Sequence, residues 1–174
     1  KSFGFTPFYP GPGMGGHCIP IDPLFISWIA HKKSVSSEFI ENSRKVNFQI
    51  TRWIINKIMK YLNRKKNKKI LLLGVTYKKN INDTRESPGL KIIEYFRKKK
   101  IKIDYYDPYV SKVIINKVYL NSIKNFEYKK LPEYTAVIIC ANHDKFDYPK
   151  ILKYSKIIFD TRGVFSNKKN VVNC

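Results

Sequence analysis

The second half of the chain alternates apolar runs of strand length with stretches of helical composition, and this alternation narrows its fold more than any other feature. "KILLLGV" is followed by a helix from about Pro88 to Lys99, then by "IKIDYYDP", "AVIICA", a helix near Tyr148 to Lys153, and "KIIFDT" as the last strand. An apolar run without polar alternation offers no face to water, so each such strand must be covered on both sides. Strands and helices in alternation then build an α/β domain around a parallel sheet, Rossmann-like, with its ligand groups at the carboxyl ends of the strands. The stretch around "FEYKKLPEY" reads as irregular.

Ahead of this domain, residues 36–63 read as one long helix. Ser37, Glu38 and Glu41 enrich its start and Lys57, Lys60 and Arg64 its end, as the helix dipole favours. Apolar residues at Val46, Ile50, Trp53, Ile54, Ile58, Tyr61 and Leu62 form one stripe, and Phe48, Ile55 and Met59 widen it. So wide a face suits a core helix of a larger domain, or a helix packed on its own domain and on a second subunit. The polar linker "NRKKNKK" divides the chain into residues 1–66 and 67–174.

The stretch "FYPGPGMGGHCIPIDP" places Gly11, Gly13, Gly15 and Gly16 just ahead of Cys18. Backbone without Cβ atoms can lie against a ligand and turn its N–H groups toward it. Asp22 and Pro23 occupy the positions of an N-cap and a first helical residue, which predicts a short helix from Pro23 to His31. A helix N-terminus nearby stabilises a thiolate, so Cys18 reads as a reactive thiol with Asp22 at hand to position a water or proton. The competing reading is an inert cysteine beside a glycine turn. His17 beside Cys18 could serve as a base, but no Ser or Asp completes a triad by spacing and adjacent residues rarely face one another, so it reads as a loop residue that shapes the site.

"GVTYKKNINDTRESPGLKI" follows the first strand and has no GxGxxG spacing for a dinucleotide pyrophosphate. It carries Lys78 just past the strand end, and Ser87 and Pro88 as cap and first residue of a helix, a combination that suits an anion. Arg85 either reaches that anion or pairs with Asp83 or Glu86. Asp160 and Arg162 follow the last strand at the same sheet edge, where they meet the same phosphorylated ligand or simply form a solvated turn.

Among the 174 residues, 34 Lys+Arg against 13 Asp+Glu give a net charge of +21, which invites a nucleic-acid partner. The lysines are spread along the chain at solvated positions, however, and such a balance equally suits a phosphate-bearing substrate; no nucleic acid is expected. No apolar run approaches the roughly 20 residues of a spanning helix, so no membrane partner is expected either. Three cysteines, without metal-ligand spacing or scaffold density, indicate a reducing, cytoplasmic setting and no metal site. The start "KSFGF" has no initiator Met and resembles no targeting signal, so the chain reads as the interior of a longer protein.

"PGPGMGGHCIPIDP", "LLLGVTYKKNINDTRESPGLKIIEYF", "YYDPYV" and "IIFDTRGVF", in this order, resemble the carboxyl-terminal half of the UDP-glucose/GDP-mannose dehydrogenase family, the UDP-sugar 6-dehydrogenases. Within it, "FGFTPFYPGPGMGGHCIPIDP" is most similar to bacterial UDP-N-acetylglucosamine 6-dehydrogenases. The resemblance implies oxidation of a sugar C6 alcohol to a carboxylate with NAD as cofactor, through a cysteine thiohemiacetal and thioester. It matches Cys18 to the nucleophile, Asp22 to the carboxylate that assists water, and Gly15 to the loop glycine against the substrate. It matches Tyr77 and Lys78 to the pair that holds the UDP-sugar, Arg162 to a further UDP-sugar contact, and Arg85 to the arginine that reaches NAD. The implied fold class is α/β, a Rossmann-like parallel sheet domain preceded by a long central dimerisation helix and a Gly-rich catalytic loop, assembled as a homodimer. The family's amino-terminal NAD-binding domain has no counterpart in these residues, so the chain alone is expected to be inactive.

Overall fold

The computed structural model describes residues 9–66 and 68–174. The opening "KSFGF", Phe8 and Asn67 of the linker lie outside the described residues. Two helices come first, α1 (Cys18–Lys32) and α2 (Glu38–Leu62), followed by β1 (Lys69–Leu73), α3 (Pro88–Lys98) and β2 (Lys102–Tyr106). A hairpin of β3 (Lys112–Ile115) and β4 (Val118–Asn121), a 3-10 helix (Tyr128–Glu133), β5 (Ala136–Ile139), α4 (Tyr148–Tyr154), β6 (Ile158–Asp160) and β7 (Val171–Asn173) complete it.

Five strands form one sheet in the order β2-β1-β5-β6-β7, with every neighbouring pair parallel. Side chains alternate across a strand, so each apolar run divides between the two faces. Ile70, Leu72, Ile103, Tyr105, Ile138 and Phe159 join a core with Ile54, Ile58 and Leu62 of α2 and Ile92, Ile93 and Phe96 of α3. Leu71, Leu73, Val137, Ile139 and Ile158 meet Leu131 and Tyr134 around the 3-10 helix, and Phe146 and Ile151 around α4. Both faces are thereby covered, as uninterrupted strands require.

Ser87 caps α3 by accepting the Gly89 N–H at 3.1 Å, with Pro88 in the first helical position, as its sequence predicts. The wide apolar face of α2 resolves along its length. Its carboxyl half buries Ile54, Ile55, Ile58 and Leu62 on the sheet domain, whereas Phe39, Val46, Phe48 and Trp53 stay exposed. In between, Thr51 Oγ1 donates to the Pro12 carbonyl at 2.6 Å and Asn47 Oδ1 accepts the Met14 N–H at 2.7 Å. Thus α2 also fastens the glycine-rich loop.

Three features differ from the sequence reading. First, α1 starts at Cys18, with Pro23 inside it and Asp22 exposed within the helix, so Asp22 is not its N-cap. The first-turn N–H groups have no intrahelical acceptor, so Pro20 enters there without losing a rung. Gly16, at φ +86° and with its N–H on the Arg85 carbonyl at 2.9 Å, turns the chain into the helix early. Second, "KIIFDT" is not the last strand, because β7 adds to the edge at β6. Third, the irregular middle contains the β3–β4 hairpin, whose turn residues Asn116 and Lys117 both have positive φ (51° and 64°) as in a type I′ turn.

Candidate active site

The sheet order puts a topological switch point between β1 and β5: from β1 the chain crosses to β2 on one side, and later returns to β5 on the other. Loops leaving neighbouring strands in opposite directions open a crevice at their carboxyl ends, where ligands of such sheets bind. Four segments converge there: the Val75–Asn80 loop after β1, Asp107 after β2, Cys140–His143 after β5 and Arg162 after β6.

Asp107 organises the floor. Its Oδ2 accepts the Val75 N–H at 2.7 Å and its Oδ1 the Tyr109 and Val110 N–H groups at 2.8 and 3.2 Å. A carboxylate this buried is tolerated only when its oxygens are satisfied, and these are. Arg162 spans the crevice as a strut: its Nε donates to the Cys140 carbonyl at 2.7 Å and its Nη2 to the Tyr77 carbonyl at 3.4 Å. Asp160 braces the turn by accepting the Arg162 N–H at 2.9 Å and the Phe165 N–H at 2.8 Å.

The glycine-rich loop docks on these groups. A Cβ on Gly15 would stand 2.5 Å from Tyr77 Cβ and 2.8 Å from the Glu86 carbonyl, so only glycine permits the approach. At Gly16 a Cβ would meet the Tyr77 ring at 2.9 Å, on a backbone whose φ already favours glycine. Gly11 lies against the Arg162 guanidinium. Two residues past Gly16 the exposed Cys18 takes the first position of α1, and Asp22 follows one turn along, on the same helix side.

Arg85 belongs to the turn on which the glycine-rich loop docks, its carbonyl accepting the Gly16 N–H at 2.9 Å. Its Nε and Nη2 bond to Asp83 Oδ2 at 3.0 and 2.7 Å, so the pairing with Asp83 is what forms. That side-chain bond, and then the backbone N–H of Arg85, hold Asp83 below the usual carboxylate range. Arg85 is in turn raised, first by its hydrogen bond to Asp83 and then by that carboxylate's charge. Lys78 is exposed, and its carbonyl accepts the Thr76 hydroxyl at 2.7 Å. Exposed His17 makes no side-chain cap on α1.

The structure therefore brings together Gly15, Cys18, Tyr77, Arg85 and Arg162, with Lys78 at the rim and Asp22 along α1. Sequence reasoning passed over His143, which is fully buried against Asp107 at 3.1 Å. Among the described residues no three His, Cys, Asp or Glu side chains group to hold a metal, and no helix is long and apolar enough to cross a membrane.

Comparison with known proteins bears on this arrangement. Residues 71–167 match the UDP binding domain of the UDP-glucose/GDP-mannose dehydrogenase family, and residues 1–49 its central domain. A UDP-N-acetyl-D-mannosamine dehydrogenase of Methanocaldococcus jannaschii is 34% identical over 91% of the chain, which spans 36% of that enzyme. A UDP-N-acetyl-D-glucosamine 6-dehydrogenase of Salmonella typhi is 27% identical over 84% of the chain and 35% of its own length. The solved UDP-D-ManNAc dehydrogenase of Pyrococcus horikoshii superposes with a TM-score of 0.74 at 25% identity, over 96% of this chain and 39% of that one.

Proposed function

Because the chain belongs to the UDP-glucose/GDP-mannose dehydrogenase family, we propose that it is the nucleophile-bearing and UDP-sugar-binding part of an NAD-dependent nucleotide-sugar dehydrogenase that acts in the cytoplasm. The observation that carries this reading is the docking of the glycine-rich loop on Tyr77, which sets the exposed Cys18 beside the loop bearing Lys78. The substrate is a UDP-N-acetylhexosamine. The loop sequence favours UDP-N-acetylglucosamine, whereas the higher identity to a mannosamine dehydrogenase supports UDP-N-acetylmannosamine.

In the proposed reaction the C6 alcohol loses a hydride and a proton to become an aldehyde. The Cys18 sulfur adds to C6, loss of a second hydride converts the hemithioacetal to a thioester, and water breaks the C–S bond to release the carboxylate. NAD, when bound, accepts both hydrides, so two NAD+ become two NADH and one water is consumed. Arg85 is exposed, cationic and held in place by Asp83, and so fits the phosphate of such a cofactor; the turn after β1 has no glycine spacing to cradle its pyrophosphate. Asp22 assists the water, Lys78 and Tyr77 hold the UDP-sugar, and Arg162 contacts it or sets the loop that does.

Calorimetry tests the substrate half directly. UDP titrated into the chain should bind, and Lys78→Ala should weaken it by about tenfold, the worth of one charge-assisted hydrogen bond. No heat from the folded chain, or unchanged affinity in Lys78→Ala, would sink this reading.

The same proposal includes a homodimer. Phe25, Trp28, Phe39, Phe48 and Trp53 leave α1 and α2 as far as Trp53 with an exposed apolar face, of the kind that marks an interface. A groove of about 390 Å³ between these helices, lined by Ile19, Leu24, Phe39 and Phe48, is suited to a partner's side chains. Sedimentation should find a dimer at micromolar concentration, and Phe39→Glu with Trp53→Glu should weaken it by about 100-fold. A monomeric parent chain would refute this assembly.

A further inference from the structure

We infer that His143 is a positioning residue for the UDP-sugar site, an imidazole that grips the Tyr77–Lys78 pair from both sides. The inference rests on the proposed role of Tyr77 and Lys78 as substrate holders. Its basis is a buried network of His143, Asp107, Thr76 and Asn80 at the switch point, to which nothing in the motif assigned a task.

The Asn80 backbone N–H, which can only donate, points at His143 Nδ1 at 2.9 Å. Nδ1 is therefore the acceptor, and the ring proton resides on Nε2. From there it donates to Asp107 Oδ2 at 3.1 Å, with Thr76 Oγ1 also within reach at 3.3 Å. The Thr76 hydroxyl proton is already committed to the Lys78 carbonyl, so Thr76 meets the ring as an acceptor and every proton in the network has one place. Thr76 and Asn80 flank the turn that carries Tyr77 and Lys78, and one ring holds both.

The surroundings resist any rearrangement. Tyr109 and Phe146 wall the ring at centroid distances of 5.0 and 5.3 Å, and Tyr148 donates its hydroxyl to the His143 carbonyl at 2.8 Å. Asn80 has a φ of +61°, an uncommon conformation for a residue with a Cβ. It is retained by the ring on one side, and on the other by Asp144, whose N–H donates to Asn80 Oδ1 at 3.0 Å. A second-sphere group of this kind acts through the residues it orients.

Nitrogen-15 NMR of His143, isolated by His17→Gln and His31→Gln, should show the Nε2–H tautomer near neutral pH; the Nδ1–H form or an imidazolium would overturn the assignment. Two half-mimics then separate the contacts. His143→Asn keeps an acceptor near Nδ1, and His143→Gln keeps a donor near Nε2. The Asn80 amide should stay protected from hydrogen exchange in the first and lose protection in the second. UDP affinity of the folded molecules should fall by about tenfold in both, whereas a purely structural role would change the melting temperature and leave affinity intact. If neither variant folds, the near-isosteric Thr76→Val carries the affinity measurement. Parent-like UDP affinity in the folded variants would overturn the proposal. Should the parent chain itself bind no UDP, the substrate reading fails, and the tautomer and Asn80 exchange still decide whether His143 holds the turn.

Discussion

If the proposed reaction holds, Cys18→Ala in a protein that joins this chain to an NAD-binding domain should lower UDP-sugar acid formation by roughly 10³-fold or more, the scale on which loss of a nucleophile is felt, while UDP affinity stays unchanged. The split follows from the site's construction. Cys18 stands exposed at the start of α1, and the groups proposed to hold UDP lie on the β1 loop and beyond β6. The other cysteines cannot take over: Cys140 is sealed at the end of β5, where burial pushes its thiol up to about 11, and burial raises Cys174 as well. In the proposed reaction only the second oxidation needs sulfur, so the loss should fall on acid release, with the aldehyde as the species left behind. Parent-like acid formation by Cys18→Ala, read by product chromatography with NADH absorbance, would remove the covalent mechanism.

The parts of the fold legible from sequence were those in which local chemistry and tertiary demand agree. Apolar runs such as Leu71–Leu73 and Val137–Ile139 could only be strands covered on both faces, and Ser87-Pro88 could hardly fail to open a helix. Where local and tertiary demands diverge, the local cue misled. Asp22-Pro23 is a fair helix start on propensity, yet the docking of Gly16 on the Arg85 carbonyl begins α1 five residues earlier, at Cys18. Cys18 is thereby the first residue of α1 rather than part of a loop ahead of it. The Asn116-Lys117 turn between Val113-Ile115 and Val118-Leu120 was a readable hairpin signal, obscured by the surrounding lysines. Arg162 was chosen for its position, and its Nε and Nη2 prove to be committed to the Cys140 and Tyr77 carbonyls. His143 had no signal of its own. Its meaning arises only when the sheet order brings the ends of β1, β2 and β5 to one point, and no spacing along the chain records that juxtaposition.

The same juxtaposition makes Asp107 the most sensitive residue of the sheet domain outside the apolar core. Its carboxylate receives three backbone N–H groups, from Val75, Tyr109 and Val110, and the His143 Nε2 proton. All four partners are donors. Asp107→Ala strands them in a region closed to water, and Asp107→Asn turns an NH2 group toward one of them, so neither variant is conservative. Leaving buried donors unpaired costs about 1–3 kcal/mol each before relaxation, so a net loss of about 3 kcal/mol is expected for Asp107→Ala. In a domain of this size that lowers the melting temperature by roughly 6–12 °C. The loss should not be confined to stability, since Val75 leads into the turn carrying Tyr77 and Lys78. Thermal unfolding followed by circular dichroism, with UDP titration of the folded variant well below its midpoint, reads both consequences. A variant that melts within about 2 °C of the parent would mean that the loop satisfies its donors without Asp107, and the crevice would then be set by Arg162 and the glycine-rich loop instead.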